Sequence, residues 1–302
     1  EILKNKWKYH SDPYYELVET ILIGFDGIII CKVLSEYVFK LADLFWSYSP
    51  RKDDRFFDSG INVEKYFGLE EIHHEFFPAS AFQTPIFQLL HFKYGKTIDF
   101  ILSFVNKCTE YYANSRFDAS VYKAKLYFDD NKVKEQYISH CLWNMYRGTS
   151  SPVSPYLLQS IHMALEKFLL EKGKSLNSNE LEGWLIYLLE NSESASISAV
   201  VTSIALAFPD KTFNVSKILF KTKDFIVHDK TRLSSEYHAK SLYSIGYGLN
   251  YNHKIYEDER IKTCEDAHRK WSLEELFLNY QLFRSTEVSE DEAVNRQKVL
   301  WK

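Results

Sequence analysis

Cysteine is scarce in this sequence, and no two cysteines form a recognisable pair. The 302 residues contain four, far apart and never in a Cys-x-x-Cys spacing: Cys31, Cys108, Cys141 and Cys264. Scattered single cysteines in a long chain are typical of reduced thiols, whereas small secreted domains usually carry dense pairs. We recognise no signal peptide either. The sequence therefore predicts a cytoplasmic protein without disulfide bonds.

Long hydrophobic runs are missing as well. The most apolar stretch, ETILIGFDGIIICKVLSEYVFKLADLFW, is interrupted by charged residues that include Asp26, Lys32, Glu36 and Lys40. A helix that spans a membrane needs roughly 20 consecutive apolar residues. The stretch therefore predicts a pair of buried helices, and no membrane partner is expected.

An excess of positive charge is also lacking. Lys and Arg number 37 against 41 Asp and Glu, which gives a net charge of −4. Proteins dedicated to nucleic acids usually carry a basic excess or a concentrated basic stripe. Here the densest basic stretch is the short KNKWKYH of Lys4–His10. These numbers disfavour nucleic acid as a partner.

Motifs that bind nucleotides or metals are absent or incomplete. Neither G-x-x-x-x-G-K-[ST] nor G-x-G-x-x-G occurs, and the serine-hydrolase motif G-x-S-x-G is missing too. HHEFFP, at His73–Pro78, begins like the zinc motif His-Glu-x-x-His, but Pro78 stands where the second histidine is needed. Adjacent histidines such as His73 and His74 point about 100° apart on a helix. We predict no metal site and no cofactor.

Aromatic and apolar residues are abundant. Hydrophobic residues make up 45% of the chain and aromatic residues 16%, with 22 Phe and 21 Tyr. Such a composition predicts a sizeable core. Aromatic side chains are also common anchors of recognition surfaces. The surplus of aromatic residues therefore fits either a large core or a recognition surface.

The spacing of apolar residues predicts a mostly α-helical fold. It indicates helices over Pro13–Ile23, over residues 26–46 and over residues 97–114. One segment differs: in SVYKAKLYF, and again in KVKEQYIS, apolar and polar residues alternate with a period of two, which predicts a β-hairpin. Beyond it the predicted helices are His140–Tyr146, Pro155–Lys172, Ser178–Leu189, Ser196–Phe208, Asn214–Lys221, Ser235–Tyr247, Ile255–Arg269, Leu273–Phe283 and Ser289–Trp301.

The predicted architecture is therefore an irregular helical array, either a HEAT-like α-solenoid or a bundle, with one small β-hairpin near 120–138. We expect an N-terminal helical block at 1–117, a hairpin insertion at 118–138 and a stacked helical region at 139–302. Regular TPR or ankyrin repeats are excluded because no fixed period aligns successive helix pairs. A first residue other than Met and an end within an amphipathic pattern suggest truncation at both ends.

One pair of residues is a candidate for catalysis. The stretch RLSSEYH, Arg232–His238, fits the loose Arg-x(4–6)-His spacing of HEPN-type helical ribonucleases. In that reading His238 is the general acid or base and Arg232 holds the phosphate. Against it, the residue after the arginine is Leu233 rather than a polar one.

Two further polar residues have structural readings. Arg147, in a turn, could bind a phosphate or a carboxylate, but we expect it to cap the carbonyl groups of the preceding helix. His162, between apolar neighbours, is expected to be a hydrogen-bonded residue of the core or its flank.

The stretches WNMYRGTSSPVSPYLLQSIHMALEKFLLEK and SESASISAVVTSIALAFPDKTF, with the hairpin before them, resemble helical regions of very large bacterial NTP-binding proteins. Some of those proteins belong to the STAND class that guards against phage. The likeness covers roughly Ser120 to Phe213. It implies a non-catalytic sensor or regulatory region of an antiviral defence protein, and it assigns no catalytic residue to this chain.

Taken together, these observations predict a non-catalytic scaffold or protein-interaction module within a larger cytosolic protein. Its expected partner is another protein or another part of the same polypeptide. The alternative is a metal-independent ribonuclease that uses Arg232 and His238. Any other activity is expected outside this stretch of chain.

Overall fold

A computed structural model describes residues 1–48, 63–71, 76–115, 117–129, 132–149, 153–243, 251–282 and 288–301, and of these all side chains except those of 237–243 and 251–253. The described chain is mostly α-helical, with one two-stranded hairpin. Its helices up to the hairpin are α1 (Ile2–Asn5), α2 (Tyr15–Leu22), α3 (Ile28–Val33), α4 (Ser35–Trp46), α5 (Val63–Tyr66), α6 (Ile86–Phe92) and α7 (Tyr94–Ser115).

The hairpin consists of β1 (Tyr122–Tyr127) and β2 (Val133–Ile138), and the remaining helices follow it. They are α8 (His140–Trp143), α9 (Tyr156–Gly173), α10 (Ser178–Asn191), α11 (Ala195–Ala207), α12 (Phe213–Phe220), α13 (Lys223–Tyr243), α14 (Tyr251–Thr263), α15 (Leu273–Leu282) and α16 (Glu290–Leu300). Short 3-10 helices lie at Met145–Arg147, Pro209–Lys211 and Ala267–Lys270. The predicted fold class is confirmed.

One hydrophobic core runs through the described chain. It contains side chains from α2 to α15 and from both strands of the hairpin. No helix among the described residues is both long enough and apolar enough to cross a membrane.

The single helix predicted for residues 26–46 is wrong, because the chain bends at Leu34. The backbone of Leu34 has φ −121° and ψ 33°, which separates α3 from α4. Spacing of apolar residues does not record such a bend. In α4, Val38 and Ala42 point into the core, while in α3 only Cys31 is buried.

The hairpin is antiparallel, and its register pairs Ala124 with Gln136. Both residues belong to its buried face. The Gln136 amide donates to the carbonyl oxygens of Leu189 and Ser192, each at 3.2 Å, and accepts a hydrogen bond from the Ser198 hydroxyl at 2.6 Å. A buried amide has to be satisfied in this way, so these bonds hold the hairpin against α10 and α11.

Helices α9 and α11 pack against each other at the centre of the helical region. Every residue of α11 from Ala195 to Leu206 is buried, and most of them are Ala, Ser, Thr or Val. Small side chains allow a helix to approach its neighbours closely. At the end of α9, Gly173 packs directly against the ring of Phe208, which follows α11: a Cβ atom built on Gly173 would lie 2.3 Å from Cε2 of Phe208.

We therefore expect Gly173→Ala to lower the free energy of unfolding by about 1–3 kcal/mol, the usual cost of overpacking. Urea denaturation measures the change. Gly183 in α10 is the matched control, because a Cβ there meets nothing within 4 Å. Gly183→Ala should instead stabilise the protein by up to about 1 kcal/mol through helix propensity. Equal effects of the two substitutions would contradict the packing argument.

Helix α13 begins at Lys223, well before the predicted start at Ser235. The early turns of this helix place Asp229 and Arg232 in the protein interior. A helix that buries charged side chains lacks a continuous apolar stripe, so the spacing of apolar residues does not reveal where it begins. The predicted helix Ile255–Arg269 is also wrong at its end, since α14 stops at Thr263.

Candidate functional site

A cluster of buried charges joins distant parts of the helical region. Arg147, in the 3-10 helix after α8, is fully buried and binds the carboxylate of Glu236 in α13. Its Nε lies 2.5 Å from Oε1 and its Nη2 lies 2.8 Å from Oε2. This two-point geometry is the strong form of an arginine–carboxylate pair. Arg147 thus binds a carboxylate from a distant part of the chain, whereas the sequence favoured capping of the preceding helix over carboxylate binding.

Glu236 faces two more arginines. Its Oε1 lies 3.6 Å from Nη1 of Arg269 and 4.0 Å from Nη1 of Arg232. Burial alone would raise the pKa of Glu236, but the charge of Arg147 and its hydrogen bond outweigh burial and lower that pKa. The carboxylate is therefore ionised and surrounded by three guanidinium groups.

A second buried carboxylate, Glu166 in α9, completes the arrangement. Nη2 of Arg269 donates to it at 2.6 Å, and the hydroxyl of Ser203 in α11 donates at 2.5 Å. Burial opposes ionisation here too, yet the nearby charge of Arg269 keeps the pKa of Glu166 well below its ordinary value. We call the six residues Arg147, Glu166, Asp229, Arg232, Glu236 and Arg269 the ionic cluster.

Arg232, the candidate phosphate-binding residue, belongs to this cluster and is only 1% exposed. Its Nε donates to Asp229 at 2.9 Å and its Nη1 donates to the carbonyl oxygen of Arg269 at 2.8 Å. Its Nη2 donates to Asp229 and to the carbonyl oxygen of Trp271. These donors are already used by the protein, which disfavours phosphate binding. The side chain of His238 lies outside the described residues, so the ribonuclease alternative stays a hypothesis.

With three arginines and three carboxylates, the ionic cluster is balanced in charge. It connects α13 to α9, to the 3-10 helix at Met145–Arg147 and to the one at Ala267–Lys270. Neither of its two glutamates is poised to exchange a proton near neutral pH, because both pKa values are lowered. The cluster therefore acts as a structural link between helices.

His162 and Ser196 form a second polar group in the core. Nδ1 of His162 donates to the carbonyl oxygen of Leu158 at 2.7 Å, and the Ser196 hydroxyl lies 2.8 Å from Nε2. A serine beside a histidine is the pattern of an activated nucleophile, but both side chains are fully buried. Burial lowers the pKa of His162 to about 4, so its ring is neutral. It links α9 to α11, as a core residue does.

A group of exposed apolar side chains lies on α3 and next to its two ends. Ile29 is 74% exposed and Val33 is 71% exposed, and they stand one helical turn apart on the same face. We call the following set the apolar surface: Phe25, Ile28, Ile29, Val33, Leu34 and Tyr37, all of them exposed.

The apolar spacing assigns Val33, Leu34 and Tyr37 to one of a pair of buried helices. That assignment is wrong for these side chains, because the bend at Leu34 turns them outward. A signal was present nonetheless: FDGIIICKV is apolar around most of the helix, which exceeds the single stripe that one contact can bury.

The two histidines and the glutamate of the incomplete zinc motif lie outside the described residues, since these exclude 72–75. In the part of the chain that is described, no three His, Cys, Asp or Glu side chains come together in a way that could hold a metal ion.

Comparison with protein-family models and with curated proteins finds no match for this chain.

Proposed function

We propose that this chain is a non-catalytic recognition module that binds another protein, or another part of its own polypeptide, through the apolar surface. The observation that carries the proposal is the exposure of Ile29 and Val33 on one face of a short helix. Exposed apolar groups that adjoin one another mark interaction sites, whereas scattered single ones do not.

The charged residues of the interior support the same reading. Arg147 and Arg232, which could otherwise hold an anionic substrate, are committed to carboxylates and carbonyl groups of the protein. The ionic cluster therefore links helices of the protein to one another. The resemblance to regions of bacterial defence proteins and the cytoplasmic location remain predictions that agree with such a role.

A matched pair of valines tests the apolar surface. A photo-crosslinking amino acid is placed at Val33 or at Val227, which lies on α13 and is 54% exposed. We expect crosslinking at position 33 in cells of the source organism to give a discrete product, identified by mass spectrometry, and none at position 227. Ile29→Glu should abolish the product at position 33.

The substitution itself should not disturb folding, because Ile29 contributes little to the core. Thermal denaturation of Ile29→Glu is therefore expected to match that of the unmodified chain. Crosslinking that is equal at the two valines, or a product at position 33 that survives Ile29→Glu, would reject the apolar surface as the binding site.

A further inference from the structure

The N-terminal part of the fold contains a cavity of about 180 Å³ that is not involved in the proposed function. Its walls combine aromatic rings with carboxylates. The rings include those of Tyr9, Tyr15, Phe45 and Trp46. The ring centroid of Tyr15 lies 5.8 Å from that of Phe45, so the two form one aromatic wall between α2 and α4.

Three carboxylates line the same cavity, together with one lysine and with His10, whose ring centroid lies 4.3 Å from that of Tyr15. Glu70 is bound by Lys8, and Glu71 pairs with Lys65 at 2.6 Å. Glu19, half-buried on α2, forms no ion pair with a residue that the structure describes. It stands one turn after Tyr15, so its carboxylate and the tyrosine ring are neighbours on one helical face.

Lys8 shows that the lining of this cavity can stabilise a buried cation. Its side chain is only 4% exposed, and its ammonium group donates to Glu70 and to the carbonyl oxygen of Ser47 at 3.0 Å. The same nitrogen lies 5.7 Å from the centroid of the Tyr9 ring. A carboxylate and an aromatic face thus already hold one cation away from water, which is the arrangement that favours cation–π attraction.

The remaining space suits a second cation of limited size. A cavity of about 150 Å³ can hold benzene, so this one has room for about seven non-hydrogen atoms. The surplus of carboxylates disfavours an anion. A metal ion is disfavoured as well, because no three ligating side chains converge among the described residues.

We propose that this cavity binds a small organic cation, a quaternary or primary ammonium group, which lies against the aromatic wall and pairs with Glu19. The ammonium group can belong to a free amine or to a lysine side chain of a peptide. The two sources share the same chemistry and are separated by experiment.

Isothermal titration calorimetry on the whole chain tests the proposal with choline and with 3,3-dimethylbutan-1-ol, its uncharged counterpart of the same shape. We expect choline to bind at least about tenfold more tightly, because only the cation gains from the rings and from Glu19. N-acetyl-trimethyllysine amide and N-acetyl-lysine amide form the second arm. Tighter binding of these compounds than of choline indicates a peptide side chain, and the reverse order indicates a free amine.

Two glutamates on α2 provide the matched variants. Glu19→Gln keeps the shape and removes the charge, so choline binding should weaken about tenfold. Glu16→Gln, at an exposed position of the same helix, should leave the affinity unchanged. Tyr15→Leu is a second variant that removes a ring and should also weaken binding.

Circular dichroism confirms that each variant is folded. The proposal is overturned if no cation binds at millimolar concentration or if the uncharged compound binds as well as choline. It is also overturned if Glu16→Gln and Glu19→Gln have equal effects. The apolar surface is not involved, so this experiment can fail without affecting the proposed function.

Discussion

Glu236→Gln is expected to lower the free energy of unfolding by about 3–5 kcal/mol, the range found when one member of a buried ion pair is removed. The amide keeps the shape of the side chain but leaves Arg147, Arg232 and Arg269 near one another without the charge that they share. Guanidinium groups do not lose their proton in proteins, so this repulsion persists. Chemical denaturation measures the loss.

An exposed ion pair between α13 and α15 is the control. Lys230 and Glu274 lie 2.7 Å apart, but both side chains are about half exposed or more, at 68% and 48%. Surface pairs contribute little to stability, so Glu274→Gln should leave the denaturation midpoint unchanged. Arg147→Met combined with Glu236→Gln should cost less than the sum of the two single changes, because it removes both partners. A Glu236→Gln variant as stable as Glu274→Gln would show that the cluster does not link the helices.

Acidification from pH 7 to pH 4 is expected to cost about 3 kcal/mol of stability through His162 alone. Its pKa falls from 6.5 to about 4 on folding because the ring is buried. Between these pH values the unfolded chain binds a proton that the folded chain does not. Stability therefore declines as the pH falls through this window, and the effect of His162 is complete below its folded pKa.

His162→Gln isolates this contribution. Whatever its stability at pH 7, the variant should lose less stability per pH unit between pH 6.5 and pH 5. The difference in slope approaches about 1.4 kcal/mol per pH unit, the value for one proton. Burial also lowers the pKa of His228, so the slope of the unmodified chain exceeds that of His162 alone. Ser196→Ala serves as the control, because it removes a hydrogen bond while the imidazole stays buried. An unchanged slope in His162→Gln would refute the assignment.

The glutamates of the ionic cluster act in a lower range of pH. The pKa values of Glu166 and Glu236 are lowered in the folded chain. Their stabilisation is complete above the unfolded value of about 4.3 and is lost as the pH falls below it. Above pH 5 the two glutamates contribute little to the pH dependence of stability, so the effect of His162 is best measured there.

Several features were predictable because they depend on neighbours in sequence. The stripe Ile98, Ile101, Leu102, Val105 and Cys108 is buried in α7 as its spacing indicates. Ser289 accepts a hydrogen bond from the backbone of Glu292 and caps α16, as its position suggests. Caps and stripes follow from local geometry, so a single sequence is enough to predict them.

The cavity beside α2 could not be predicted in the same way. Tyr15 and Glu19 are one turn apart and share a helical face, but the ring of Phe45 comes from another helix and the Lys8–Glu70 pair spans 62 residues. Nothing in the spacing of these residues indicates that they meet. The same holds for Arg147, which the sequence predicts as a cap of the helix before it.

The amino-acid order determined most of the helices and the alternating hairpin, because both depend on residues within a few positions of one another. Tertiary structure alone decided that Arg147 meets Glu236 across 89 residues and that Ile29 and Val33 remain in water. Periodicity shows which side of a helix is apolar. Whether another segment covers that side, and which charge faces a buried charge, depends on how the helices come together.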